Sequence, residues 1–597
     1  SPDRLATKIS EQWQTWDSMR ELWKRDKEEI RKYVYATDTS KTSNSSLPWK
    51  NKTTVPKLCQ IRDNLYSNYT ATLFPQRKSM IWEANEKDAN SKRKREAISN
   101  YMAWAIDQPG FKHEIDKIIL DYIDFGNAFA SVEWIDDRVL QKDGVTKAGF
   151  VGPGIRRFNP LDIAFDPTAD HFERAPKIIR STISLGQLKE ILERLSNDEN
   201  REEYENLWNY LREIRSNAMK WTGEWAERDN LYQMDGFTSF QEYLMSDSVE
   251  ILTFYGDLYD VDNDVFLKNH VITVVDRHKL IGKKPNPSYF GTPPIYHVAW
   301  RKKPDNLWGM GPLDNLIGMQ YRIDHIENMK ADIFDLVTYP VQKVKGYVED
   351  FTWQPGEKIF VSEEGDVDLV TPDVNVLQSD QAISIYMEIM EVMAGAPREA
   401  MGFRTPGEKT KYEVQSLENA ASRVFQNKIK QFEEQMVEPL LNAMLELARR
   451  NLTGVSTIKV FDDEFKTASF QSLTVEDITG IGRIKPVAAR HFAEQSQLVQ
   501  NLSNLAQSPI FQLLAPHTSS VNLAKAFEKM FNVEDFEIFL PWVGLAEQAE
   551  AQKQSQAYQE QVLQATSTAS GMGEDFDMPP MSGAMMQEQL MQQQGIQ

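Results

Sequence analysis

The segment from Gly402 to Thr410 comes closest to a motif with defined chemistry, because it nearly matches a phosphate-binding P-loop. In a P-loop the lysine follows the glycine directly, so that backbone amides close on the phosphates. Here Glu408 separates Gly407 from Lys409, and Pro406 removes one amide donor. We therefore do not expect ATP binding, and we predict a chain without enzymatic activity or catalytic residues of its own.

Metal-binding patterns are equally incomplete. Asp260, Asp262 and Asp264 alternate as in a calcium loop, but valines occupy the positions that require glycine and a bidentate acid. A solvated turn between two strands is the favoured interpretation. The eight histidines are scattered, and the single cysteine, Cys59, cannot form a disulfide within the chain. No metal or other cofactor is predicted.

The Gly/Pro-rich stretch around the near-P-loop carries a local excess of positive charge in a chain of net charge −21. Its cations could contact DNA phosphates. Alternatively, they belong to a surface loop and pair with nearby acids or with helix ends. The acidic balance argues against wrapping nucleic acid but permits nucleic acid to pass through. The candidate DNA-contacting residues are Arg398, Arg404, Lys409 and Lys411.

The first 300 residues read as a mixed α+β region within a chain long enough for several domains or layers. An amphipathic helix is predicted over the first 35 residues, and an exposed polar loop at Thr37–Thr54. Apolar runs are short and interrupted by charge, so no transmembrane helix is predicted. The other predicted helices are Lys57–Leu73, Lys92–Ile106, Lys112–Phe125 and Leu185–Met219, and the predicted strands are Ala128–Trp134, Ile155–Phe165, Val249–Tyr259, His270–Asp276 and Ile295–Trp300.

A different pattern covers Leu307 to Asn451. Apolar residues step by threes and fours from Leu313 to Val337, which predicts a long helix ending before Pro340. Helices this long need partners along their length, and further copies of the subunit are the economical source. We therefore predict a structural, ring-building protein. The elements that follow are short strands (Val341–Val348, Lys358–Val361, Val367–Val370), a helix at Ser379–Met393, the Gly/Pro segment, and a helix of about 40 residues to Arg450, bent near Pro439.

This order of parts resembles that of the portal proteins, or head-to-tail connectors, of short-tailed double-stranded DNA phages. The resemblance covers nearly the whole chain in element order. The residues that carry it are Pro294–Arg301, Leu307–Pro312 at the start of the long helix, Asn159–Asp162 with Phe165–Pro167, and Gly395–Val414.

The resemblance implies a helix-rich α+β portal fold, with about twelve subunits forming a ring around a DNA channel. Each part of that fold has a counterpart by position. The implied parts are a wing (1–306), a stem helix (307–339), a β-rich clip (340–378), a second stem helix (379–394), a tunnel loop (395–411), a long wing or crown helix (412–455), a C-terminal wing or crown region (456–546), and a crown tail (547–597) that is partly helical or disordered.

The resemblance also assigns candidate sites to the stem and clip. The charged stem residues either line the channel or form salt bridges between subunits; both readings stay open. In the clip, Lys343, Lys345, Phe351 and Trp353 are candidates for docking adaptor or terminase, while Phe351 and Trp353 could equally pack between clips. The candidate stem residues are Arg322, Asp324, Glu327, Lys330 and Asp335.

The implied partners are double-stranded DNA, the large terminase, adaptor or head-completion and tail proteins, and the major capsid and scaffolding proteins, with no membrane. The implied location is a unique vertex of the virion, after assembly in the host cytoplasm. Two other classes stay open: a terminase-like DNA-packaging enzyme, and another structural component of the virion or tail.

Overall fold

Helices and antiparallel strands alternate along the chain in the computed structural model, which confirms the predicted α+β class. All described residues lie in one compact unit, Ser1–Ala493. The structure describes residues 2–74, 80–84, 91–137, 139–140, 146–147, 149–196, 201–216, 239–261, 263–286, 294–350, 360–370, 372–395, 423–454, 456–462 and 467–486.

The described helices are α1 (Pro2–Met19), α2 (Glu21–Val34), α3 (Lys57–Leu73), α4 (Ser91–Ile106), α5 (Pro109–Asp124), α6 (Leu185–Leu195), α7 (Arg201–Ser216), α8 (Phe240–Met245), α9 (Ile317–Thr338), α10 (Asp380–Met393), α11 (423–451, including a π-helical turn at Glu433–Val437) and α12 (Val475–Ile478). The described strands are β1 (Met80–Ala84), β2 (Asn127–Asp136), β3 (Val139–Leu140), β4 (Thr146–Lys147), β5 (Val151–Phe158), β6 (Ile163–Phe165), β7 (Lys177–Ser184), β8 (Ser248–Asp260), β9 (Val265–Val275), β10 (Lys279–Pro285), β11 (Ile295–Ala299), β12 (Arg301–Lys303), β13 (Asn306–Met310), β14 (Val341–Lys345), β15 (Asp366–Val370), β16 (Ser456–Asp462), β17 (Thr467–Leu473) and β18 (Gly482–Pro486).

A five-stranded antiparallel sheet, in the order β10-β9-β8-β7-β6, is covered by helices on both faces. Alternate residues of a strand point to opposite faces. Leu252 and Phe254 of β8 pack against α1, whereas Val249 and Ile251 of the same strand pack against α6 and α7. This arrangement explains why these strands read as nearly continuous apolar runs in the sequence.

The main core lies beside a three-stranded sheet, β11-β2-β5. Helices α3, α4 and α5 contribute to it, together with α11 and the first turns of α9. Helix α10 also reaches this core, through Ile383 and Met390, as does Ala394 directly after it. The two helices that resemble a portal stem are therefore rooted in the body of the protein.

Close packing around the Leu307–Pro312 run explains Gly126 and Gly309. Gly126, between α5 and β2, has a φ of +67°, and a Cβ there would lie 2.2 Å from the Gly311 nitrogen. A Cβ on Gly309 would lie 2.6 Å from the Ala299 Cβ. Larger side chains would push β13 and the entry to α9 away from the three-stranded sheet.

The predicted elements of the first 300 residues are mostly confirmed, with three corrections. The N-terminal helix is interrupted at Arg20, whose buried guanidinium donates to the Pro160 and Leu161 carbonyls at 2.6 Å each. The predicted strand run Ile155–Phe165, which the sequence punctuates at Asn159-Pro160, is divided there into two strands by a 3₁₀ turn at Pro160–Asp162. The predicted helix Leu185–Met219 is divided into α6 and α7.

The predicted exposed loop at Thr37–Thr54 is confirmed over most of its length, but three of its residues are buried. The segment forms two 3₁₀ turns, and Thr39, Thr42 and Asn44 are buried. Polar composition alone does not reveal burial when the partners are polar groups on a distant helix.

Candidate subunit-association arm

Helix α9, the β14–β15 ribbon and α10 form a continuous feature that we call the arm (residues 317–393). The predicted helix Leu313–Val337 is confirmed, although its first residues form a turn and α9 begins at Ile317. The predicted strands are confirmed at Val341–Lys345 and Asp366–Val370, with an isolated bridge between Val348 and Val361.

Four polar residues on one face of α9 attach the arm to the segment before α3. Gln320, Asp324, Asn328 and Asp332 are spaced by four residues, which places them on successive turns of the same helix face. We call these four side chains the polar ladder. Each of them hydrogen-bonds the backbone of the segment 50–58.

The geometry of the polar ladder is regular. The Asp324 carboxylate accepts the Val55 N–H and the Thr54 hydroxyl, each at 2.9 Å. The Asn328 side chain accepts the Thr53 N–H at 2.7 Å and donates to the Thr53 carbonyl at 2.8 Å. The ladder thus satisfies backbone groups that a neighbouring strand would otherwise satisfy.

The two ends of the polar ladder make equivalent bonds. Gln320 donates to the Val55 carbonyl at 2.6 Å and accepts the Leu58 N–H at 3.0 Å. Asp332 accepts the N–H groups of Lys50 and Asn51 at 3.0 Å each. The whole segment is therefore fixed along about three turns of α9.

The structure contradicts the sequence-based role of Asp324. Its side chain is 0% exposed and bonded within the subunit, so it neither lines a channel nor reaches a neighbouring subunit. Burial raises the pKa of Asp324 to about 6, against the opposing effect of its three hydrogen-bond donors. The four-residue spacing places the ladder on one helix face, but it does not indicate which segment that face meets.

Asp324 makes the attachment of the arm dependent on pH. A carboxyl whose pKa is raised in the folded protein favours folding below its unfolded pKa of about 4. That stabilisation is lost as the pH rises through about 6. Between pH 4 and 7, the free energy of unfolding of the wild type should fall by up to about 2 kcal/mol more than that of Asp324→Asn. Denaturant unfolding of both proteins across this range measures the difference.

Asp324→Ala is the control, because it leaves the Val55 N–H and the Thr54 hydroxyl without this acceptor at every pH. It should be less stable than Asp324→Asn throughout. Parallel pH profiles for wild type and Asp324→Asn would contradict the assignment.

Ion pairs hold the second helix of the arm. Lys57 of α3 and Glu391 of α10 form a pair whose side chains are 4% and 3% exposed. Lys57 also donates to the Gln60 side chain at 3.0 Å. Lys330 of α9 pairs with Asp380 at the start of α10, which joins the two helices.

Helix α10 is apolar on two opposite sides. Ile383 and Met390 face the main core and are buried. Ile385, Ile389 and Val392 follow each other at spacings of four and three residues, which aligns them on one exposed face. Single exposed apolar residues are ordinary, whereas an aligned set is a candidate contact surface.

The exposed apolar surface continues to the far end of the arm. Phe334, Tyr339 and Tyr347 are 61%, 70% and 77% exposed. An isolated two-stranded ribbon is marginally stable in water, so burying these side chains against a further segment or chain would stabilise it. The other exposed apolar side chains here are Leu336, Val337, Val341, Val344, Phe360, Val361, Leu369, Val370 and Val374.

The remaining predicted stem residues lie on α9 in different settings. Arg322 is exposed, and Glu327 is partly exposed near Lys330. Asp335 accepts a bond from the Asn51 side chain at 3.0 Å. Lys330 and Asp335 therefore act within the subunit in the structure, and a role in the channel or between subunits stays a prediction for these four residues.

Only some of the predicted clip residues, and none of the predicted tunnel-loop residues, lie in the described part of the chain. Lys343 and Lys345 are exposed on β14. Phe351 and Trp353 lie outside the described residues, as do Arg398, Arg404, Lys409 and Lys411. The helix predicted to end at Arg450 is confirmed from residue 423 onward, with its π-helical turn immediately before Pro439.

Other kinds of site are not found in the described part of the chain. There, no three side chains of the metal-ligating types converge as a metal site requires. No described helix combines the length and apolarity that crossing a bilayer requires. Asp260 and Asp264 flank the predicted turn between β8 and β9, but Asp260 is buried rather than solvated, and Asp262 lies outside the described residues.

Comparisons with known proteins add no family. No protein-family model matches this chain, and no curated protein matches it either. The function must therefore be inferred from the residues and contacts described above.

Proposed function

We propose that this chain is the portal subunit of a short-tailed double-stranded DNA phage. About twelve copies form a ring at one capsid vertex, through which the genome is packaged and ejected. The observation that carries the proposal is the arm: a helix–ribbon–helix projection that is firmly rooted and broadly apolar outside. The order of parts along the sequence, which resembles that of portal proteins, also supports the proposal.

The root of the arm supports an assembly role because it fixes the arm's position. The polar ladder and the Lys57–Glu391 pair attach both helices to the body, so the exposed apolar residues are presented outward. Apolar side chains gain about 25 cal/mol for each Å² removed from water, which favours covering this surface with other subunits. Covering an apolar surface in this way needs no catalytic site.

The proposed mechanism is mechanical and electrostatic. The ring would seat the large terminase during packaging and adaptor and tail proteins afterwards, with capsid and scaffolding proteins around it. An acidic subunit, of net charge −21, would repel DNA phosphates and let the duplex slide. The basic residues proposed for the tunnel loop would instead attract DNA phosphates at that one place in the channel.

Negative-stain microscopy and native mass spectrometry of the purified full chain test the proposal. A closed ring of about twelve copies with a central hole is the expected result. A stable monomer that hydrolyses ATP would overturn it and favour a packaging enzyme. A filament or a compact oligomer without a hole would favour another structural virion component.

The tunnel-loop assignment predicts a packaging defect. In Arg404→Glu combined with Lys409→Glu, two cations become anions, and each lost phosphate contact weakens DNA association. Particles should assemble normally but contain less DNA, as measured by nuclease-protected genome per capsid. Lys92→Glu with Arg93→Glu serves as the charge-matched control on α4. Normal DNA content in the loop variant would remove its role in DNA contact.

A further inference from the structure

The β14–β15 ribbon has opposite charges on its two strands. Strand β14 carries Lys343 and Lys345 and no acid, whereas β15 carries Asp366 and Asp368 and no base. The antiparallel register places Lys343 opposite Asp368 and Lys345 opposite Asp366. Directly opposed residues share a face of the sheet, so all four charges lie on one face.

The other face of the ribbon is mainly apolar. Val344 lies opposite Val367, and Gln342 opposite Leu369. In the described part of the chain, neither β14 nor β15 pairs with any strand but the other, so each has an outer edge. The ribbon is thus a two-faced sheet fragment with one basic and one acidic edge strand.

We propose that β14 of one copy pairs with β15 of the next copy, and that these charges set the direction of the contact. The proposal rests on the ring proposed above and names the surfaces that meet in it. Pairing β14 with β15 of a neighbour brings lysines beside aspartates on one face, and apolar side chains together on the other. Pairing two β14 strands would align lysines with lysines, and pairing two β15 strands would align aspartates with aspartates.

The symmetry follows from this choice of edges. A contact between identical edges is two-fold and stops at a dimer, whereas a contact between different edges repeats from copy to copy. Each ribbon has β14 and β15 antiparallel, so β14 beside the next β15 is also antiparallel, and the pattern continues unchanged. Repetition closes a ring when the rotation from copy to copy divides a full turn evenly, and it gives an open filament otherwise.

A complete charge swap tests the proposal without disturbing the ribbon itself. The variant Lys343→Asp, Lys345→Asp, Asp366→Lys, Asp368→Lys keeps every opposed pair within one chain complementary. It also keeps β14 complementary to β15 of another swapped copy. It should therefore assemble with itself like wild type, but wild type and variant should segregate when they are co-expressed.

The swap leaves the composition unchanged, so one protein must carry an isotopic label for native mass spectrometry to resolve mixed oligomers. We expect at least about tenfold fewer mixed oligomers than random mixing gives, because like charges meet at every mixed contact. The control swap, Glu190→Arg with Arg194→Glu, exchanges an exposed ion pair on α6 and should mix at random with wild type.

The outcomes separate the two proposals. Rings that mix at random would overturn edge pairing and leave the ring intact. Preferential mixing would also overturn edge pairing between β14 and β15. It would indicate contacts between identical strands, because a wild-type β14 and a swapped β14 carry opposite charges. Wild-type protein that stays monomeric at all concentrations would overturn the ring itself. Segregation of the ribbon swap, together with random mixing of the control, supports the proposal.

Discussion

Glutamate at Ile385, Ile389 and Val392 is expected to prevent the proposed ring assembly and to leave folded monomers. The three side chains are 49%, 38% and 61% exposed in the single chain, so the substitutions should leave the fold intact. At a contact between subunits they would replace apolar burial with three charges that must be desolvated. We expect at least a hundredfold weaker association, or about 3 kcal/mol for each contact.

Sedimentation velocity over a range of concentrations measures this effect, and circular dichroism checks the fold. Met19→Glu with Met245→Glu is the matched control, because both methionines are 57% exposed and lie outside the arm. The control should assemble like wild type. Assembly of the triple variant at wild-type concentrations would show that this face of α10 is not at the contact.

Glu391→Ala should be the most destabilising single change in the arm. It leaves the Lys57 ammonium buried with the Gln60 side chain but without its carboxylate partner. Breaking a buried ion pair in this way costs about 3 to 5 kcal/mol, because an uncompensated charge stays in the interior. Denaturant unfolding measures the loss, and faster hydrogen exchange in α3 and α10 would locate it.

Lys57→Met combined with Glu391→Met distinguishes the loss of the pair from the loss of a charge. With both charges replaced by apolar side chains, most of the stability lost in Glu391→Ala should return. If the double variant is as unstable as Glu391→Ala, packing volume rather than the ion pair determines the effect. Glu388→Ala, at an exposed position of the same helix, should cost little.

The long helices of the arm could be predicted because their pattern is local. Apolar residues recur at helical spacing from Leu313 to Val337, and Pro340 ends the run. The structure places α9 within a few residues of these limits and α10 at Asp380–Met393, close to the predicted Ser379–Met393. The ribbon strands followed from alternation and from the turn residues between them.

The role of Asp324 could not be predicted in the same way. Its partner Thr54 is 270 residues earlier in the chain, so periodicity carries no information about the bond. A charged residue on a helix suggests an exposed face. Asp324 is a buried acceptor only because the segment 50–58 packs against α9. The buried pair between Lys57 and Glu391 was missed for the same reason, with 334 residues between its members.

The sequence by itself determined the α+β class, the two arm helices, the ribbon between them and the absence of a complete P-loop. These features depend on neighbours within one or two turns, which any segment carries with it. Only the tertiary structure decided which arm residues are buried and which stay exposed. That division depends on free energies of burial and hydrogen bonding between distant segments, which exist only once the chain has folded.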